Sequence, residues 1–176
     1  MAKIIGQKII GPKIIGIDPG LASTGVGLVW GKGLKIQGYS YGSIHTSKES
    51  PMAERLSHIY SKITAVLENE KPDLMVVEES FSLNKYPKSG ITLGKVTGVI
   101  LLAGFQTNVI VKEVPVREAK QILTGNGNAD KVQLEKSVRH TLKLANPIRP
   151  FHASDALALA LIGLYRFQSL MGKYSI

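Results

Sequence analysis

Cysteine is absent from this chain of 176 residues. That excludes a disulfide framework, thiolate metal ligands and a cysteine nucleophile. Aromatic residues are scarce, at 6% with a single Trp, and acids are outnumbered: 13 Asp and Glu against 22 Lys and Arg leave a net charge of +9. A surplus of that sign, with a pI near 9.7, points to a polyanionic partner, nucleic acid ahead of an anionic membrane surface. No apolar run reads as long enough to span a bilayer and no secretory signal is evident, so the expectation is a cytoplasmic protein without a membrane partner. Apolar residues are plentiful, at 44%, enough for one domain of this length to bury a core.

The first residues repeat themselves as Lys3-Ile4-Ile5-Gly6, Lys8-Ile9-Ile10-Gly11 and Lys13-Ile14-Ile15-Gly16. Pro12 separates the last two copies, so only the third reads as a core strand and residues 1–12 as an extension. One domain is expected over 13–168, with a tail at 169–176. Strands are expected at 13–17, at 24–30 and, with alternating Tyr39 and Tyr41, at 34–43. A helix follows, with Ser50 as its cap and Pro51 at its first position, carrying Leu56, Ile59, Ile63 and Val66 at helical spacing. Leu74-Met75-Val76-Val77 reads as a buried strand parallel to the first. A loose segment at 81–90, a helix at 91–105, a strand at 108–114 and a short helix at 115–123 come next. A turn at 125–128 precedes a helix capped by Asn128 or a neighbour, with Leu134, Val138 and Leu142 on one stripe. A last helix is expected at 153–168. A meander followed by alternating helices and strands makes an α/β fold with a mixed sheet.

Three places set carboxylates against buried elements. Asp18 ends the first strand before Pro19-Gly20, Glu78-Glu79 ends the strand at 74–77, and His152 and Asp155 stand three apart at the start of the last helix, on one face. Each alone reads as ordinary turn, surface or helix-start chemistry. Together, if the two strands are neighbours, they form a set of hard oxygen donors with one imidazole. That set suits Mg²⁺ or Mn²⁺, two of which roughly 4 Å apart serve phosphodiester hydrolysis.

These residues resemble the RuvC family of Holliday-junction resolvases, of the ribonuclease-H-like fold. The resemblance is carried by Gly16-Ile17-Asp18-Pro19-Gly20 with Thr24-Gly25, and by Val77-Glu78-Glu79-Ser80-Phe81. It continues through Leu93-Gly94, Ala119-Lys120-Gln121, the run from Gly125 to Lys131, and His152-Ala153-Ser154-Asp155-Ala156-Leu157. It implies a five-stranded mixed sheet flanked by helices, and a homodimer that nicks two opposed strands of a four-way DNA junction, with a branch-migration helicase complex as a partner. Carried over by motif, Asp18, Glu78, His152 and Asp155 are the catalytic and metal-binding positions, with Glu79 one place beyond the matching glutamate. Lys120 and Lys131 fall where the family has lysines near the cleaved strand, and Phe81 resembles its loop phenylalanine, with Lys85 beside it. Where the family usually has an Arg, the run here is Leu93-Gly94-Lys95-Val96-Thr97-Gly98.

The later basic residues, Lys112, Arg117, Lys120, Lys131, Lys136, Arg139, Lys143 and Arg149, fit phosphate contacts. Phe81 to Lys88 mixes aromatics with bases, the chemistry of stacking on unpaired bases. The surplus of positive charge also fits an RNA-directed nuclease of the same fold or a catalytically silent junction binder. The Ile17-Asp18-Pro19-Gly20 turn resembles the first phosphate loop of actin-like ATPases, which need a second half that 176 residues do not provide.

Overall fold

A computed structural model describes residues 11–79 and 87–171. Its centre is one sheet of five strands: β1 (Lys13–Asp18), β2 (Ser23–Lys32), β3 (Lys35–His45), β4 (Leu74–Glu78) and β5 (Val111–Val114), in the order β3-β2-β1-β4-β5. β1, β2 and β3 form the antiparallel meander, while β4 pairs parallel with both β1 and β5. This is the mixed α/β sheet expected from the sequence.

Period-two alternation sends each strand into two separate cores. Ile15, Ile17, Val26, Leu28, Met75 and Val77 pack under α1 (Met52–Glu70) and α2 (Pro87–Gln106). Ile14, Val29, Leu74 and Val76 face the other side, with α3 (Val116–Thr124), α4 (Lys131–Thr141) and α5 (Phe151–Tyr165). α5 is buried continuously from Ala153 to Leu164, which its run of Ala and Leu permits. It lies directly on β1 and β2 because those strands carry glycines where it crosses. A Cβ on Gly16 would stand 2.0 Å from the Ala156 carbonyl oxygen, and one on Gly25 would stand 1.9 Å from that of His152.

Several boundaries differ from the sequence expectation. Pro51 is the N-cap of α1 rather than its first helical residue, its ψ of 150° being extended, and no side chain caps it. α2 begins at Pro87, so 87–90 is helical, not loose. β5 is only four residues long, because Asn108 takes a left-handed φ of 56° and Val109 turns back to the Gly104 carbonyl. The third strand starts one residue late, with Leu34 left 80% exposed in the turn. Asp130 caps α4 in a reciprocal box with Gln133. The last helix breaks at Arg166, and a short α6 (Phe167–Met171) runs into the expected tail. The segment Lys88–Gln106 also amends the reading of apolar runs, being long and apolar enough by length and composition to cross a membrane. Here it packs against α1, and part of its apolar surface stays open.

Candidate active site at the carboxyl ends of β1 and β4

Strand parity decides which acids meet. Asp18 shares the face of Ile14 and Gly16, and Glu78 shares that of Leu74 and Val76, so both look toward α5. β1 pairs with β4 as Ile17 with Val77, and one further step of that register sets Asp18 beside Glu78. α5 supplies the rest from its first turns. His152 Nδ1 lies 2.6 Å from Asp18 Oδ2, and Asp155 is 6% exposed. All four side chains line one cavity of about 420 Å³.

Cations rim the same cavity. Lys131, the first residue of α4, holds its ammonium 3.8 Å from Asp155 Oδ2, and Lys120 and Arg117 reach in from α3. In the sequence Arg117 reads only as part of the general basic run; its place after Pro115, at a strand-to-helix turn, is the signal for its position here. Glu79 also lines the cavity although its parity differs from that of Glu78. A larger hollow of about 770 Å³ sits at the other end of the sheet, between Pro12, Lys32 and Phe167, with no acidic side chain among the described residues that line it.

The acids crowd one another. Burial, a hydrogen bond to Asp18 and the charge of Asp18 push the Glu78 carboxyl up to about 8 against the pull of Lys131. Burial and the charge of Asp18 raise Asp155 to about 6. The hydrogen bond from His152 to Asp18 lifts the imidazole above its ordinary value, opposed by burial. Such shifts mark carboxylates short of positive charge.

The donor set fits a hard divalent cation in chemistry: three carboxylates, one imidazole, and a buried Asp155 Oδ1 that has no hydrogen-bond partner. Among the described residues no three such side chains already stand as a closed metal cage. His152 and Asp18 are paired with each other instead. Phe81 and Lys85, expected at the DNA, lie outside the described residues.

The model of the crossover junction endodeoxyribonuclease RuvC family matches residues 14–163, from the first core strand to the end of the helix that carries His152 and Asp155. The chain belongs to the RuvC family. Among its relatives, the RuvC of Caldicellulosiruptor saccharolyticus is 36% identical over 160 residues, covering 90% of this chain and 96% of the relative. That of Carboxydothermus hydrogenoformans is 39% identical over 161 residues, covering 90% and 99%. Thermus thermophilus RuvC, solved in complex with Holliday junction substrate, superposes with a TM-score of 0.81 at 34% identity, covering 92% of this chain and 96% of that one. The yeast mitochondrial Holliday junction resolvase Ydc2 shares the fold, with a TM-score of 0.59 at 13% identity over 92% of this chain and 80% of its own. The RuvC fold is thus the ribonuclease-H-like sheet expected from the motifs.

Proposed function

We propose that the chain is a Holliday-junction resolvase of the cytoplasm, a metal-dependent endodeoxyribonuclease that nicks two opposed strands of a four-way DNA junction. The observation that carries this reading is the meeting of Asp18, Glu78, Asp155 and His152 in one cavity rimmed by Lys120 and Lys131. Asp18, Glu78, Asp155 and His152 would hold Mg²⁺, with Mn²⁺ as a substitute and two ions as the working complement. What such ions supply when bound is Lewis-acid charge for activating water and stabilising the leaving oxygen.

The chain's own groups do the rest. Lys131 and Lys120 draw the scissile phosphate toward the carboxylates and offset their mutual repulsion. Asp18 accepts a hydrogen bond from His152 Nδ1 and so fixes the ring at the rim of the cavity. The hydrogen bond to Asp18 raises the proton affinity of His152, which suits it to general acid–base work as the alternative to holding metal. Phe81, as the residue that stacks on an unpaired base, and Lys85, as a phosphate contact, belong to this proposal on sequence grounds.

Two opposed nicks need two active sites related by symmetry, hence a homodimer. The open side of α2 supports it: Ile91, Leu102 and Phe105 recur on one stripe at 62%, 47% and 78% exposure. A branch-migration helicase complex is the partner that the family resemblance implies.

The test is a labelled four-way junction incubated with the protein, with and without Mg²⁺, beside matched duplex and RNA–DNA hybrid. Paired symmetric nicks only on the junction and only with metal are expected. Tight binding without cutting would instead establish a silent junction binder, and indifference to branching would sink the resolvase reading.

A further inference from the structure

A second polar hollow lies at the same end of the sheet as the carboxylates, on the side covered by α1 rather than α5. β3 ends at His45, which pairs with Ser23 at the start of β2, while Asp18 pairs with Gly25. Two strand spacings, about 10 Å, therefore separate the end of β1 from the end of β3. Between β3 and α1 is a hollow of about 290 Å³ lined by His45, Thr46, Glu54, Arg55 and His58 among others.

Its central cation is held in place. Arg55 Nε donates to Thr46 Oγ1 at 2.8 Å, and Thr46 Oγ1 in turn donates to the Leu21 carbonyl oxygen. Thr46 N donates to the Ala22 carbonyl at 3.2 Å. The arginine is thus braced against the loop that leads directly from Asp18 to β2. Arg55 forms no ion pair among the described residues, although Glu54 lines the same hollow. His45 engages Ser43 Oγ through Nε2 at 2.8 Å, and its Nδ1 has no other partner among the described residues. One oriented guanidinium, two imidazoles and hydroxyls against a single carboxylate form a receptor for a tetrahedral oxyanion, which arginine's planar fork suits better than lysine's point charge.

We infer that this hollow is a second phosphate site, which takes a backbone phosphodiester of the junction arm leading away from the cleaved strand. The inference rests on the DNA-cutting reading above. Both hollows open at one end of the sheet, on its two sides, so a junction arm that crosses that end places phosphates near each. Occupancy would steady the Thr46–Leu21 contact and so the turn that carries Asp18. Arg55 here is a binding and positioning residue.

The test uses the full-length protein, its Arg55→Gln and Glu54→Gln variants, and two probes, a labelled four-way junction and inorganic phosphate. Arg55→Gln should weaken junction binding about three- to tenfold at low salt and make the salt dependence shallower by about one phosphate contact. Glu54→Gln should tighten binding about two- to threefold, a gain that misfolding cannot produce. Phosphate should move the imidazole NMR signals of His45 and His58 in the wild type and leave them still in Arg55→Gln. A wild type that cuts junctions normally, with an unchanged salt slope in Arg55→Gln and no gain in Glu54→Gln, would overturn the second site. A wild type that does not bind the junction would overturn the DNA reading first and this site with it, and is seen before any variant is made.

Discussion

His152 Nδ1 and the Asp18 carboxylate meet at 2.6 Å although 134 positions separate them in the chain. The contact joins the first turn of α5 to the last residue of β1, and it exists only because β1, β2 and α5 are packed as they are. Asp18→Asn removes the charge on which that contact and both neighbouring acids depend. Cleavage of a four-way junction should fall by at least about a hundredfold. Junction binding, measured by gel shift, should stay within about threefold, since the lysines are untouched.

Raised acids make metal-free stability depend on pH. Glu78, lifted from 4.5 to about 8, and Asp155, lifted from 3.8 to about 6, keep protons in the folded state that the unfolded chain has released. The folded state then binds more protons, so stability falls as pH rises through about 4 to 8. His152, also raised, contributes stability below its unfolded value that is likewise lost as pH rises through its folded one. Calorimetry in chelator should give a lower melting temperature at pH 8.5 than at pH 5.5. Added Mg²⁺ should recover more of it at the higher pH, where the donors are ionised.

Glycine at position 25 is a requirement of packing. A Cβ there would lie 1.9 Å from the carbonyl oxygen of His152, on the backbone of α5. Gly25→Ala should cost about 1–3 kcal/mol in urea unfolding and push the first turn of α5 off the sheet. Cleavage should fall with it, whereas Gly42→Ala, where a Cβ meets nothing within 4 Å, should leave cleavage and stability close to wild type.

Glu135 anchors the chain just ahead of α5. It is 3% exposed, accepts a hydrogen bond from Ile148 N at 2.8 Å and pairs with Arg139 at 3.3 Å. Glu135→Ala leaves a buried amide without its acceptor and a guanidinium without its counter-charge, and should destabilise by about 1–3 kcal/mol. Glu135→Gln keeps an oxygen for the amide and should cost less. Chemical denaturation of the two variants side by side checks the order.

The apolar stripe on α2 makes a prediction about assembly. Leu102→Lys or Phe105→Glu places charge on a surface that the proposed dimer buries. Sedimentation should show the variant shifted toward monomer, with paired nicking replaced by single nicks. An unchanged dimer would place the interface elsewhere.

Much of this protein was legible in its residues. Apolar runs bounded by Pro-Gly and Lys-Pro-Asp set the strands, and helical spacing set α1 and α4, because burial periodicity is a local property of the chain. The motifs around Asp18, Glu78 and Asp155 carried the family. Ends were less legible. Asn108 reads as strand but turns left-handed, and Pro87 reads as loop but opens a helix; both are roles these residue types favour and that a reading by apolar runs passes over. The motif already preferred Glu78 to Glu79, and the tertiary structure supplied the reason, the parallel register of β1 with β4 that sets Glu78 on the face of Asp18. The tertiary structure alone set His152 on Asp18, through glycines that let α5 touch the sheet, and braced Arg55 against the loop after Asp18. These are relations between residues far apart in the chain. Spacing can propose such partners, and only the packed sheet and helix fix which atoms face which.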